Sequence, residues 1–275
     1  GVGLTVKSAH ADITGGWAFS ATYTDNIAVY VTKNAAIRFT GDGTDGNTLT
    51  ITAEDQYTNT DPALGHNIAL YAKNGGQIDV AYGENATVTL NGGMAALGDD
   101  ARTSLETGSG TTTTINGNIS AIEGTTDIKT AGNTRIATPM VMTQGAGTVN
   151  IDIGSEGTSR ITGDLLAAYG DTGAESTINL TLDGANNTFT GGAWAQYDNN
   201  SQYDHNHINV TLKNGAQWNV VDYNDGDNNH VTNLRLENAT VNLRHSTSRA
   251  AGQYKTVEVE HMSGDGGLLL FSAEL

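Results

Sequence analysis

VNIDIGSEGTSRI at 149–161, INLTLDGANNTFT at 178–190 and INVTLKNGAQWNV at 208–220 are one pattern written three times. Each opens on an apolar/polar alternation, passes through turn-forming residues rich in Gly, Asn and Asp, and closes on a second short alternation. TNLRLENATVNL from Thr232 and VEVEHMSGDGGLLL from Val257 continue the series, so successive starts are 29, 30, 24 and 25 residues apart; an earlier copy, IDVAYGENATVTL, begins at Ile78. Period-two alternation marks a strand with one buried face. A unit of two or three such strands cannot bury its own apolar face, but stacked neighbours build a continuous core, and a repeat in the twenties is the signature of a β-solenoid. The shared register predicts that Val149, Ile151, Ile153, Ile178, Leu180, Leu182, Ile208, Val210 and Leu212 point into one core.

Length alone would allow two domains in 275 residues, but a solenoid grows in one dimension, and one elongated domain is expected. The 35 glycines sit between alternations and read as turn residues; Pro occurs only twice. No cysteine is present, which excludes disulfides and thiolate metal or redox sites. A net charge of −17 with only 13 scattered Lys and Arg argues against nucleic acid and against anionic membrane surfaces. The longest late apolar run, GLLLF ending at Phe271, is too short to span a bilayer. The N-terminal GVGLTVKSAHAD has no apolar signal core, so any secretory signal is expected to lie outside this sequence.

Along the chain, residues 1–60 are the least regular, with alternations at 27–31, 36–39 and 49–53 around the turn cluster GDGTDGNT. From Ile68 to Leu90 the reading is clear: IALYA, turn NGG, QIDVAY, turn GEN, ATVTL, three strands in one coil. Residues 98–135 are Thr-rich and predict weaker strands, while the 71 residues from Ile78 to Val149 have room for about three coils. The longest interruption of the alternation is GGAWAQYDNNSQYDHNH at 191–207, a candidate functional loop. No segment has helical periodicity; Val, Ile, Thr and aromatics alternate almost throughout.

LKNGAQWNV at 212–220, VTNLRLENATVNL at 231–243 and YKTVEVEHMSGDGGLLLFSAEL at 254–275 together resemble the C-terminal part of a pertactin-type autotransporter passenger. The family pattern has a Trp-bearing strand, then a strand ending N-L-x-L, then Y-K-T-L-x-V followed by L-S-G-x-G and an apolar strand. Trp218, Val231, Asn233, Leu234, Leu236, Tyr254, Lys255, Thr256, Val257, Val259, Ser263, Gly264 and Gly266 fill those places, with Met262 where Leu is usual. The match covers roughly 60 residues and is only architectural elsewhere. The resemblance implies a right-handed parallel β-helix over 1–253, with 254–275 as the last coil entering the segment that assists passenger folding. It also implies display on the extracellular face of a Gram-negative outer membrane, or release from it, with the outer-membrane barrel absent from this sequence.

Candidate chemistry concentrates in the 191–207 interruption. Trp194, Tyr197, Asp198, Tyr203, Asp204, His205 and His207 combine aromatic faces with carboxylates, a mixture that suits sugar rings or a protein partner. His205 and His207 at i and i+2 would share a strand face, but a lone His-x-His specifies no metal, and a solvated loop is the plainer reading. DYNDGDNNH at 222–230 has oxygen ligands at alternating positions, yet Gly226 occupies the fifth place and no Glu closes the loop, so it reads as an acidic turn. GDGTDGNT at 41–48 occurs once and reads likewise. β-Helices also include polysaccharide lyases and hydrolases, which need paired carboxylates or carboxylates with a basic residue. Asp99–Asp100 and Asp225/Asp227 are pairs in predicted turns; no Ser-His-Asp order, Gly-x-Ser-x-Gly or His-Glu-x-x-His motif is present. The expectation is therefore a surface module without catalysis or cofactor. It would mediate adhesion to a host protein or glycan, or self-association with a copy on a neighbouring cell, as in aggregation and biofilm. A polysaccharide-degrading β-helix is the alternative.

Overall fold

The structure, a computed structural model, describes residues 3–7, 11–13, 23–41, 46–53, 67–168, 174–196, 206–221, 229–244 and 255–271. These residues build a parallel β-helix, and none of them is helical. The coil read from Ile68 to Leu90 sets the plan: Asn67–Lys73 lies on a first face, Gln77–Tyr82 on a second and Thr87–Asn91 on a third. Each pairs in parallel with its counterpart one coil later, Gly93–Leu97, Arg102–Thr107 and Thr112–Asn116 respectively. The stack runs from Tyr23–Thr32, Ala36–Gly41 and Thr48–Thr52 to Val257–Asp265 and Leu268–Leu270. Gly3–Lys7 adds a parallel strand beside Thr48–Thr52, and Ala11–Ile13 pairs antiparallel with Tyr23–Thr32.

All nine residues predicted to share a core are buried, in one cluster that extends from Val29 to Leu243. On the second face the innermost row is Ile78, Thr103, Thr126, Val149, Ile178 and Ile208, each fully buried. Burial of each aliphatic member contributes roughly 1.5–3 kcal/mol of transfer free energy. The row steps by 25, 23 and 23 residues from Ile78 to Val149, so the Thr-rich stretch holds three full coils. Its strands are as regular as the rest. Threonine there takes the place of valine, and its hydroxyl is satisfied inside the rod. Thr126 Oγ1 donates to the Ser120 carbonyl (2.8 Å), so Thr103 Oγ1, 3.0 Å away, donates to Thr126. Thr134 donates to Thr130 at 2.6 Å, and Thr107 and Thr113 are hydrogen-bonded at 2.9 Å.

Two readings of the repeat are corrected. Asn233 pairs with His261, a step of 28, while Val257 and Val259 lie opposite Asn229 and Val231 on the first face. The copy beginning at Val257 was therefore three residues out of register. Strand Asn229–Glu237 passes from the first face to the second without a turn, so its alternation changes phase internally, and the sequence carries no punctuation at that point. The second correction concerns 191–207. Gly191 closes the strand Asn187–Gly191, and Ala193–Ala195 is a first-face strand with both alanines buried. Gly191–Gln196 thus belongs to the regular coil, while 197–205 lies outside the described residues. Gly191 is there for contact, not flexibility: a Cβ on it would overlap the Gly163 carbonyl oxygen of the coil beneath.

Candidate functional surface

Alternation that sends Val, Ile and Leu inward sends every second residue out, and stacking turns those residues into rows. On the second face one row reads Asp79, Ser104, Asp127, Asn150, Asn179, Asn209 and Asn233. Its asparagines are linked head to tail. Asn233 Nδ2 donates to Asn209 Oδ1 (2.6 Å), Asn209 to Asn179 (2.8 Å), Asn179 to Asn150 (2.8 Å) and Asn150 to Asp127 Oδ1 (2.7 Å). Arg102 Nε donates to the other oxygen of Asp127 at 2.9 Å. The amide dipoles all point the same way and end on a carboxylate, an arrangement in which each bond polarises the next. Asn150, Asn179 and Asn209 each spend one N–H and one lone pair on the ladder, and their remaining capacity faces outward.

Flanking rows widen this into a flat polar face. Thr125, Thr148, Thr177 and His207 stand on one side; Lys129, Asp152, Thr181, Thr211 and Arg235 stand on the other. The third face repeats the device on a smaller scale, where Arg135 Nη1 donates to Asn116 (2.8 Å), Asn116 to Asn91 (3.0 Å) and Asn91 to Thr52 (3.2 Å). The first face differs. The row that points away from the main core, Tyr71, Ala95, Ser120, Met142, Leu166, Trp194 and His230, is largely apolar, and Tyr71, Ala95, Ser120 and His230 in it are buried.

Trp194, expected on a projecting loop, is a half-buried member of this first-face row, between Leu166 and His230. Tyr197, Asp198, Tyr203, Asp204 and His205 lie outside the described residues. His207 opens the strand His207–Lys213 beside Thr177, with Nε2 3.3 Å from Glu175 Oε2. Trp218, by contrast, is a core residue: it is fully buried, its Nε1 donates to the Gly191 carbonyl (2.9 Å), and its ring stacks on Phe189 at 5.7 Å. Among the described residues no three His, Asp or Glu side chains converge as a metal site. The acidic segments at 42–45 and 222–228 lie outside them.

Two open grooves follow the corners of the rod. One, of about 610 Å³ between the second and third faces, is lined by Arg38, Tyr82, Glu106, Lys129 and Asp152 over a floor containing Gly83, Gly108 and Gly154. Lys129 Nζ lies 3.4 Å from Glu106 there, and burial pushes the Tyr82 hydroxyl pKa up from its ordinary value. The other, of about 650 Å³ between the first and second faces, is lined by Gln77, Asp100, Arg102, Glu123 and Thr125. Stacked Thr, Asn and Asp on the faces of a solenoid are what the sequence leads one to expect as the alternative to the 191–207 loop, and the residues of this ladder are marked there too. Asn follows the opening residue of four copies, at 150, 179, 209 and 233. Compared with known protein families, curated proteins and solved structures, the chain matches none of them.

Proposed function

We propose that this protein is the passenger of a pertactin-type autotransporter and acts as a surface adhesion and self-association module. The observation that carries this reading is the continuous amide ladder from Asp127 to Asn233 on a flat face flanked by threonines. A regular array of half-satisfied amides and hydroxyls offers many weak hydrogen bonds in parallel. Avidity then compensates for low affinity per contact. The same array fits a second copy or a hydroxyl-rich glycan. The motif residues from Trp218 to Gly266 support the secretion route and the Gram-negative surface location.

The test displays the chain on cells that do not otherwise clump. Replacing Thr148, Thr177 and Thr211, which flank the ladder, with Glu leaves the core untouched and adds like charge to the face of a chain whose net charge is already −17. Loss of clumping, or of adhesion to host cells and glycans, is the expected result. Unchanged behaviour of a folded variant removes this face from the proposal.

The corner groove holding Glu106, Lys129 and Asp152 keeps a second reading in view, that of a polysaccharide-degrading β-helix. Glu106 and Asp152 stand two coils apart, about 10 Å at the backbone, near the separation used by inverting glycosidases. Release of reducing ends or unsaturated sugars from acidic polysaccharides, abolished by Glu106→Gln, would establish it.

A further inference from the structure

We infer that the third face carries a binding site for a sulfated polysaccharide, centred on Arg135 and Arg160. The two arginines occupy facing positions on the neighbouring strands Asn133–Gln144 and Ser159–Ala168, about 4.8 Å apart at the backbone, and both are exposed. Like charges in facing positions on adjacent strands are destabilising. The chain has 30 acidic residues to 13 basic ones, yet among the described residues the third-face strands from Thr48–Thr52 to Thr240–Asn242 place no Asp or Glu on that face. The strand Ser159–Ala168 does contain Asp164, but it lies past the third face, where its Oδ1 accepts from the Gly192 N–H (2.7 Å). Glu156, in the turn before that strand, forms no ion pair with Arg160. Among the described residues Arg160 has no ion-pair or hydrogen-bond partner for its side chain, and Arg135 spends one N–H on a neutral oxygen, that of the Asn116 amide (2.8 Å).

Two open guanidinium forks side by side specify the chemistry of a partner. A carboxylate has two oxygens and fills one fork, whereas a group with three oxygens can accept from both at once. A sulfate ester is such a group. The surroundings specify what bears it. Thr114 stands beside Arg135, and Thr188 stands beside Arg160 with Thr190 two residues on; among the described residues none of these three hydroxyls has a protein hydrogen-bond partner. They continue the row of donors and acceptors along the rod, as the ring hydroxyls of an extended sugar chain require. Charge also favours a glycan over a second copy of this chain. A polysaccharide touches this face alone, and at physiological salt charges beyond about 8 Å are largely screened. Another rod would bring its own net charge of −17 along the whole contact. The site is a face away from the amide ladder, so it goes beyond the ladder reading and does not rest on it.

Fluorescence anisotropy of a labelled heparin oligosaccharide, titrated with the purified full chain, tests this without any need for cells to clump. Binding is expected at about 0.05 M salt and should weaken steadily toward about 0.5 M. Arg135→Gln with Arg160→Gln should lower affinity by at least about tenfold while melting no lower than the unaltered chain, since the like-charge contact is gone. Lys33→Gln with Lys73→Gln removes the same charge elsewhere and should leave affinity within about twofold. Chemically desulfated heparin should bind about tenfold more weakly than heparin. No binding by the unaltered chain, undiminished binding by the double arginine variant, or equal binding of the desulfated probe each overturns the site. Loss of self-association in the arginine variant, with heparin left unbound by the unaltered chain, would overturn it in favour of a second copy.

Discussion

Threonine at an inward position gives this rod both the shape of valine and a hydroxyl that must be satisfied. Thr103 donates to Thr126, and Thr126 to the Ser120 carbonyl, so removing Thr126 strands the Thr103 hydroxyl, while removing Thr103 leaves Thr126 its acceptor. Thr126→Val should cost about 1–3 kcal/mol, the penalty of a buried donor left without its acceptor. The double change Thr103→Val with Thr126→Val should cost less than the two single changes added together, because it leaves no orphan hydroxyl at the pair. Urea denaturation of the four proteins measures this coupling; strict additivity would show that the two hydroxyls do not interact. Leu180→Asp is the harsher case. An unpaired carboxylate in the fully buried Leu180 position costs several kcal/mol, a large share of a typical total stability of about 5–15 kcal/mol, and circular dichroism should show an unfolded chain. The aliphatic half of the core was legible because alternating Val, Ile and Leu have few other uses. Its threonine half was not, since Thr is at home on either face of a strand, and only the partner one coil away decides which.

For strands and their stacking, the question is what fixes one coil upon the next. Asn179 answers it by donating to Asn150 and accepting from Asn209. Asn179→Ala should cost about 1 kcal/mol, since the neighbours stay within reach of water. Asn179→Asp is more informative. The new carboxylate can accept from Asn209 but faces the Asn150 oxygen with no proton to give, so its ionised form is disfavoured in the folded rod and its folded-state pKa rises. A group of that kind supports folding below its unfolded pKa of about 3.9 and loses that support as pH rises through the folded value. Melting curves should therefore show the deficit of this variant shrinking on acidification toward about pH 3.5 relative to pH 7, and a deficit independent of pH would refute the donor direction. Gly191→Ala tests the close approach of neighbouring backbones: with the Gly163 carbonyl in the way, the coil must shift, and the melting temperature should drop by several degrees. Strand identity over 67–91 was readable from its turn residues. The register of Val257 was not. A strand that changes face without a turn leaves no Gly or Asn to mark the change, and both phases satisfy the same alternation.

Seen as a whole, the molecule is a rod whose faces have separate chemistries, and this division was only half visible in advance. The core could be inferred from repeats alone, and polar ladders on the faces could be anticipated as a class, but which residues form them could not, because they lie about 25 positions apart and only the register of the coils brings them within hydrogen-bond reach. Trp194 illustrates the difference, since a tryptophan among glycines reads as a loop until Ala193 and Ala195 are seen to be buried on either side of it. The rod also carries a net charge of −17, and this bears directly on self-association. Two such chains repel at long range in dilute salt, while amide and hydroxyl contacts between faces are short-ranged and little affected by screening. Raising ionic strength from about 0.01 M to about 0.15 M shortens the screening length from roughly 30 Å to roughly 8 Å, which removes most of the repulsion. Face-to-face association should therefore strengthen over that interval, seen in sedimentation velocity as a shift toward dimers and larger species at fixed protein concentration. Contacts built instead on ion pairs, such as Arg235 or Lys129 of one rod against Asp152 of another, would weaken as salt is added, and that trend would move the association away from the amide ladder.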